Sequence, residues 1–219
     1  MDETTTTTKA NPLATTRLGV RLFFDGGRMP PADDLMVTFG RWVTGRMLTG
    51  VRLIDTVSYK HAQHGRWVML IGTSATWIVD AKGGEAGLRY MTRHPRPLAP
   101  SPSRHRKDGS RAHLRASYAA VLTVARYLRA DLGVTFRTDV LEVEVADRRV
   151  APNTPETYTR AEETLRAFAR EVFDEPRLLP ASAGDPDSFF RVRIEGTRKR
   201  SLDSLIARLD ELEARERGR

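Results

Sequence analysis

Apolar and polar residues begin to alternate near Leu18. Val20, Leu22 and Phe24 interleave with Gly19, Arg21 and Phe23, which predicts a strand with at least one buried face, ended by a turn at Asp25-Gly26-Gly27. Pro30-Pro31, with Asp33 as N-cap, announce a helix. Its apolar stripe is Leu35, Phe39, Trp42, Val43 and Met47, and Gly50 is its stop. Four short β-like runs follow at 51–57, 67–72, 77–80 and 88–91, separated by turn signals at His64-Gly65, Gly72-Thr73-Ser74 and Lys82-Gly83-Gly84. Connections this short favour antiparallel pairing. The uninterrupted Val68-Met69-Leu70-Ile71 predicts a central strand covered on both faces.

The character then changes. Residues 94–112 alternate prolines with Arg96, Arg104, Arg106, Lys107 and Arg111, a composition that predicts a long exposed loop and divides the chain into two halves. Leu114, Tyr118, Val121, Leu122, Ala125 and Leu128 then share a helical face closed by Gly133. Strands are expected at 134–136 and 141–145, the second with Leu141, Val143 and Val145 inward and Glu142 and Glu144 outward. Thr154-Pro155-Glu156 starts another helix: threonine caps, proline fits the first turn and the acid faces the positive end of the dipole. Phe190, Val192 and Ile194 alternate with Arg191, Arg193 and Glu195, so this strand should lie beside 141–145 with arginines opposite glutamates. Ser201 caps a last helix with leucines at 202, 205, 209 and 212. The expectation is an α+β fold: an antiparallel or mixed sheet with about four helices packed mainly on one face, forming one domain over 17–219 behind a disordered threonine-rich tail over 1–16.

Composition narrows the function classes. There is no cysteine, which excludes disulfides, thiolate metal sites and cysteine nucleophiles. The acidic start Met1-Asp2-Glu3 and the threonines after it do not make a signal peptide, and no apolar stretch is long enough for a membrane span, so the expected compartment is the cytoplasm. A net charge of +8 permits nucleic acid or an acidic protein as a partner without requiring either.

The candidate chemistry is sparse. Asp55, Tyr59, His61 and His64, with Arg66 behind them, form the most pointed cluster. Two histidines and a carboxylate would suit a metal, or Asp55 would orient His61 as a general base. The spacing matches no metal signature, and exposed or hydrogen-bonded histidines in a hairpin account for it better than a metal site does, so no cofactor is expected. No phosphate-cradling glycine motif and no nucleophile elbow occurs; Gly72-Thr73-Ser74 is a plain turn. The basic loop would meet phosphates by charge alone, without aromatics for base stacking, and is otherwise a solvated linker. Arg198-Lys199-Arg200 adds a second positive patch. The spacing of Leu205, Leu209 and Leu212 suits either packing on the chain's own sheet or docking on a protein partner or a second copy.

Two stretches, Leu53-Ile54-Asp55-Thr56-Val57-Ser58-Tyr59-Lys60-His61 running on to Val68-Met69-Leu70-Ile71-Gly72, and Ala151-Pro152-Asn153-Thr154-Pro155-Glu156-Thr157, resemble a family of uncharacterised bacterial proteins of about this length with no established activity. In that family's pattern a histidine and an acid follow Leu-Ile-Gly, where this chain has Thr73 and Ser74. The resemblance implies that part of any histidine-based site is missing here. It weakens the enzyme reading and favours a binding or structural role. The leading expectation is a non-catalytic accessory protein that acts within a larger assembly through its threonine-rich tail, basic loop and final helix, with a metal- or histidine-dependent enzyme centred on Asp55, His61 and His64, or a nucleic-acid-binding protein using the basic loop, as alternatives.

Overall fold

Each strand side chain joins one of two sheet faces, one packed under the helices and predominantly apolar, the other mixing apolar and charged residues. In the computed structural model, which describes residues 11–15, 17–48, 51–59, 67–81, 84–93, 109–180 and 188–217, eight strands form one antiparallel sheet. They are β1 (Leu18–Phe24), β2 (Leu53–Tyr59), β3 (Trp67–Gly72), β4 (Ala75–Asp80), β5 (Gly87–Thr92), β6 (Phe136–Val145), β7 (Arg177–Pro180) and β8 (Phe190–Glu195), in the order β2-β3-β4-β5-β1-β6-β8-β7. The meander β2 to β5 follows from its short turns. β1 lies at the middle, paired to β5 on one side and β6 on the other, so the two halves of the chain share one sheet.

Four helices complete the fold: α1 (Ala32–Gly45), α2 (Ser110–Leu132), α3 (Pro155–Val172) and α4 (Leu202–Arg217). Their buried residues join Val20, Leu22, Leu70, Trp77, Val143 and Val192 in one hydrophobic cluster. α1 lies against β2 and β3, and α2 against β1 and β5. Two indoles key the layers together: Trp42 Nε1 donates to Asp131 at 2.8 Å, tying α1 to the end of α2, and Trp77 Nε1 donates to the Ala120 carbonyl at 3.2 Å. None of the described helices is long and apolar enough to cross a membrane.

Several expectations change. Residues 1–10 lie outside the described residues, but 11–15 belong to the fold: Leu13 is fully buried and Asn11 donates to Thr164 at 2.8 Å. α1 begins after Pro31, so Asp33 sits inside its first turn beside Asp34 rather than at the cap. It ends at Gly45 because Arg46 turns left-handed (φ 51°), leaving Met47 outside the helix and exposed. β3 is next to the sheet edge, not central, and only alternate residues, Val68 and Leu70, enter the core. The stretch 94–112 is not a loop throughout: Ser110, Arg111 and Ala112 are the first turn of α2, while 94–108 lie outside the described residues. Residues 136–145 form one long strand instead of two short ones. β7 was unexpected, because four residues ending in proline carry too little pattern. Thr154 caps α3 as expected, accepting the Thr157 amide at 3.4 Å, and Ser201 accepts that of Ser204 at 3.1 Å.

Candidate functional site: the helix-free sheet face

The second face can be followed in one row across all eight strands: Val57, Met69, Ile78, Arg89, Arg21, Glu142, Arg193 and Leu179 are successive register partners. None of them belongs to the helix-covered cluster, and buried Phe23 on the same side is also outside it. The row is apolar over β2 to β4 and charged from β5 to β8.

The charged half is closed on itself. Arg21 donates to Asp80 at 2.7 Å and to the Glu85 carbonyl at 2.6 Å. Arg89 bridges Asp80 at 2.9 Å and Glu144 at 3.3 Å. Arg193 reaches Glu85 at 2.8 Å and Glu195 at 3.0 Å, and Phe23 lies between Arg193 and Arg21, 4.8 and 5.2 Å from its ring centre. Arg21, Asp80, Arg89 and Glu144 are all nearly inaccessible to solvent. Long arginine stems laid over an aromatic ring give this face a thin core of its own. The expected register holds, with Glu142 opposite Arg193 and Glu144 opposite Arg191. Those glutamates are buried, however, and the ion pairs found run to other residues. Glu142 is the surplus acid: among the described residues its Oε1 has no hydrogen-bond partner, and burial pushes its carboxyl above the ordinary glutamate range despite Arg191 and Arg21 nearby. Arg21, Asp80, Arg89 and Glu144 are thus spent on one another across β1, β4, β5 and β6, and Glu142 alone among the described acids of the network is left without a hydrogen-bond partner at Oε1. The sequence signal for it was present, single charges inside apolar strands at Arg21 and Arg89, but it does not name their partners.

Of the residues picked out by sequence, His61, His64, Arg66, Arg96, Arg104, Arg106 and Lys107 lie outside the described residues. Asp55 and Tyr59 share the helix-free face of β2, but four residues along a strand separate them by about 13 Å. The Asp55 carboxylate accepts the Thr56 amide at 2.7 Å, and Tyr59 stacks on Trp67 with ring centres 4.0 Å apart. Neither converges on the other. Among the described residues no three His, Cys, Asp or Glu side chains form a metal-binding group. Arg111 pairs with Glu171 at 3.4 Å, Lys199 with Asp25 at 3.2 Å and Arg200 with Asp174 at 2.8 Å, so these cations serve the fold; Arg198 stays exposed. Leu205 and Leu209 are buried and Leu212 packs beside them, with α4 held to α2 by Arg129–Asp203 at 2.9 Å and by Arg115–Glu216. That seam is therefore intramolecular and unavailable for docking.

Exposed apolar side chains concentrate elsewhere. Of the six large ones among the described residues, Val37, Met47 and Ile54 fall on α1, the turn after it, and β2, which α1 touches, while Tyr59 lies on the helix-free face of β2 against Trp67. The edge of β2 is itself blunted, by a register shift at Ile54 and by Asp55 capping Thr56, and the opposite edge ends at Pro180. The corner thus offers side chains rather than a free strand edge. The chain matches no protein-family model and no curated protein.

Proposed function

We propose that this protein works by binding other proteins, as a non-catalytic subunit of a larger assembly. The observation that carries the proposal is the apolar surface beside the β2 edge, where Val37, Met47 and Ile54, three of the six exposed large apolar residues, fall on α1, the turn after it and β2. Solitary exposed apolar residues need no explanation, whereas gathered ones mark surfaces that a partner covers. The buried ion pairs are consistent with the same reading, because Arg21, Asp80, Arg89 and Glu144 neutralise each other. Native purification of the tagged full chain followed by mass spectrometry tests it. A partner retained at fixed stoichiometry is expected; elution as a lone monomer from native extract overturns the proposal.

A further inference from the structure

The C-terminal end of α3 opens into a cleft of about 620 Å³ that none of the interactions above fills. Its floor is Phe173, buried, with Pro176 beside it. The ring is fixed from behind by Gly196, where a Cβ would stand only 3.0 Å from Phe173 Cδ1. The wall is a strained turn: Glu175 adopts φ 45°, a left-handed conformation uncommon outside glycine, and the Thr197 amide holds the turn by donating to the Asp174 carbonyl at 3.1 Å.

The charges around this cleft do not cancel. Asp174 is spent on Arg200, which donates to both its oxygens at 2.8 and 2.9 Å; that hydrogen bond, followed by the nearby charges of Arg200, Arg198 and Arg208, holds its carboxyl below the usual aspartate range. Arg208 caps the Glu171 carbonyl and so offsets the negative helix end, equivalent to about half a charge. Arg170 and Arg198 line the cleft, are exposed, and have no ion-pair partner among the described residues; Glu175 is the one unpaired acid beside them. The result is a positive, open cleft with an apolar floor.

Resting on the proposal that the chain binds proteins, we infer that this cleft docks an acidic segment of the partner, an aspartate or glutamate beside an aliphatic residue such as leucine. Arginine forks match carboxylates bidentately, and the neighbouring apolar residue covers Phe173 and Pro176. A cleft this open encloses too little of a small molecule to hold it by burial, whereas a segment carried by a macromolecule gains its remaining affinity elsewhere.

Fluorescence anisotropy with a labelled Asp-Glu-Leu-Glu-Asp peptide tests this on the full chain, against an Asn-Gln-Leu-Gln-Asn control and with inorganic phosphate as competitor. The acidic peptide should bind, the amide control should not, and Arg170→Glu with Arg198→Glu should weaken binding by about tenfold or more. Both positions are exposed, but Arg170 lies in the last turn of α3 and Arg198 stands near Asp174, so the variant should stay folded with a small loss of melting temperature, and Arg149→Glu, an exposed change elsewhere, should leave binding unchanged. Absence of peptide binding, binding indifferent to the cleft variant, or displacement by phosphate at concentrations matching the peptide's own affinity overturns the inference. Native partner capture that survives the double variant would sink the cleft and leave the subunit proposal standing; absence of any partner would sink that proposal independently.

Discussion

Arg21 reaches Asp80 by passing over Gly87. The two charged residues stand on β1 and β4, with β5 between them, and the guanidinium closes the gap to 2.7 Å. Gly87 is the register partner of both Phe23 and Asp80, and a Cβ there would stand 2.9 Å from Arg21 Nε and run into the Leu22 carbonyl oxygen. The ion pair and the missing side chain are therefore one feature.

Gly87→Ala should cost about 1–3 kcal/mol, the usual penalty for forcing a group into filled space. Gly40→Ala is the matched control. It lies inside α1 with nothing within 4 Å of its added carbon, so it should stabilise by up to ~1 kcal/mol through helix propensity. Urea melts of the two variants should move in opposite directions; equal shifts would mean that β5 has room over Gly87 after all.

Glu142 predicts an unusual pH response. Desolvation raises its carboxyl, so the folded chain binds that proton more tightly than the unfolded chain. The penalty for burying the charge is fully present above the folded pKa and fades as pH falls toward the unfolded value near ~4.3. Glu85, held low by its hydrogen bond from Arg193, acts oppositely: its contribution is present above the unfolded pKa and is lost as pH falls through the folded one. Glu142→Gln should therefore melt above wild type at pH 8, with the gap closing toward pH ~5. A variant that melts lower at pH 8 would show Glu142 acting as a paired charge instead.

The register of β6 on β8 was legible, because alternation in Leu141-Val143-Val145 and Phe190-Val192-Ile194 fixes which residues face the helices. The meander and the Thr154 cap were legible for similar reasons, since both are written in local residue order. The charge network was not. An arginine stem spans several ångströms, so Arg193 settles on Glu85, 108 residues away, rather than on the glutamate opposite it. Arg46 ended α1 early by taking a left-handed conformation that sequence would assign to Gly50.

Leu13 was also hidden, as a lone apolar residue in a polar stretch. Its side chain is fully buried, and Asn11 ties the same stretch to α3 through Thr164. Leu13→Ala should cost about 2–5 kcal/mol if the site cannot collapse around the void. Pro12, also buried, adjoins it, so truncation before residue 17 should destabilise at least as much as the point change. A truncated chain with wild-type stability would make this segment an incidental contact.

The apolar corner yields the sharpest separation of binding from folding. Val37 is 65 % exposed on α1 and Ile54 is 52 % exposed on β2, so neither contributes much to the core. Val37→Glu and Ile54→Glu should each change stability by no more than about 0.5 kcal/mol, the range for surface positions that make no special contact. If a partner covers this corner, each variant places a charge in an apolar interface, and the pair together should abolish co-purification while leaving the melting temperature unchanged. Ile54 sits at the register shift of β2, so Val37→Glu serves as the cleaner probe should the strand itself respond. Undiminished capture of the partner by the double variant would place the interface elsewhere on the molecule.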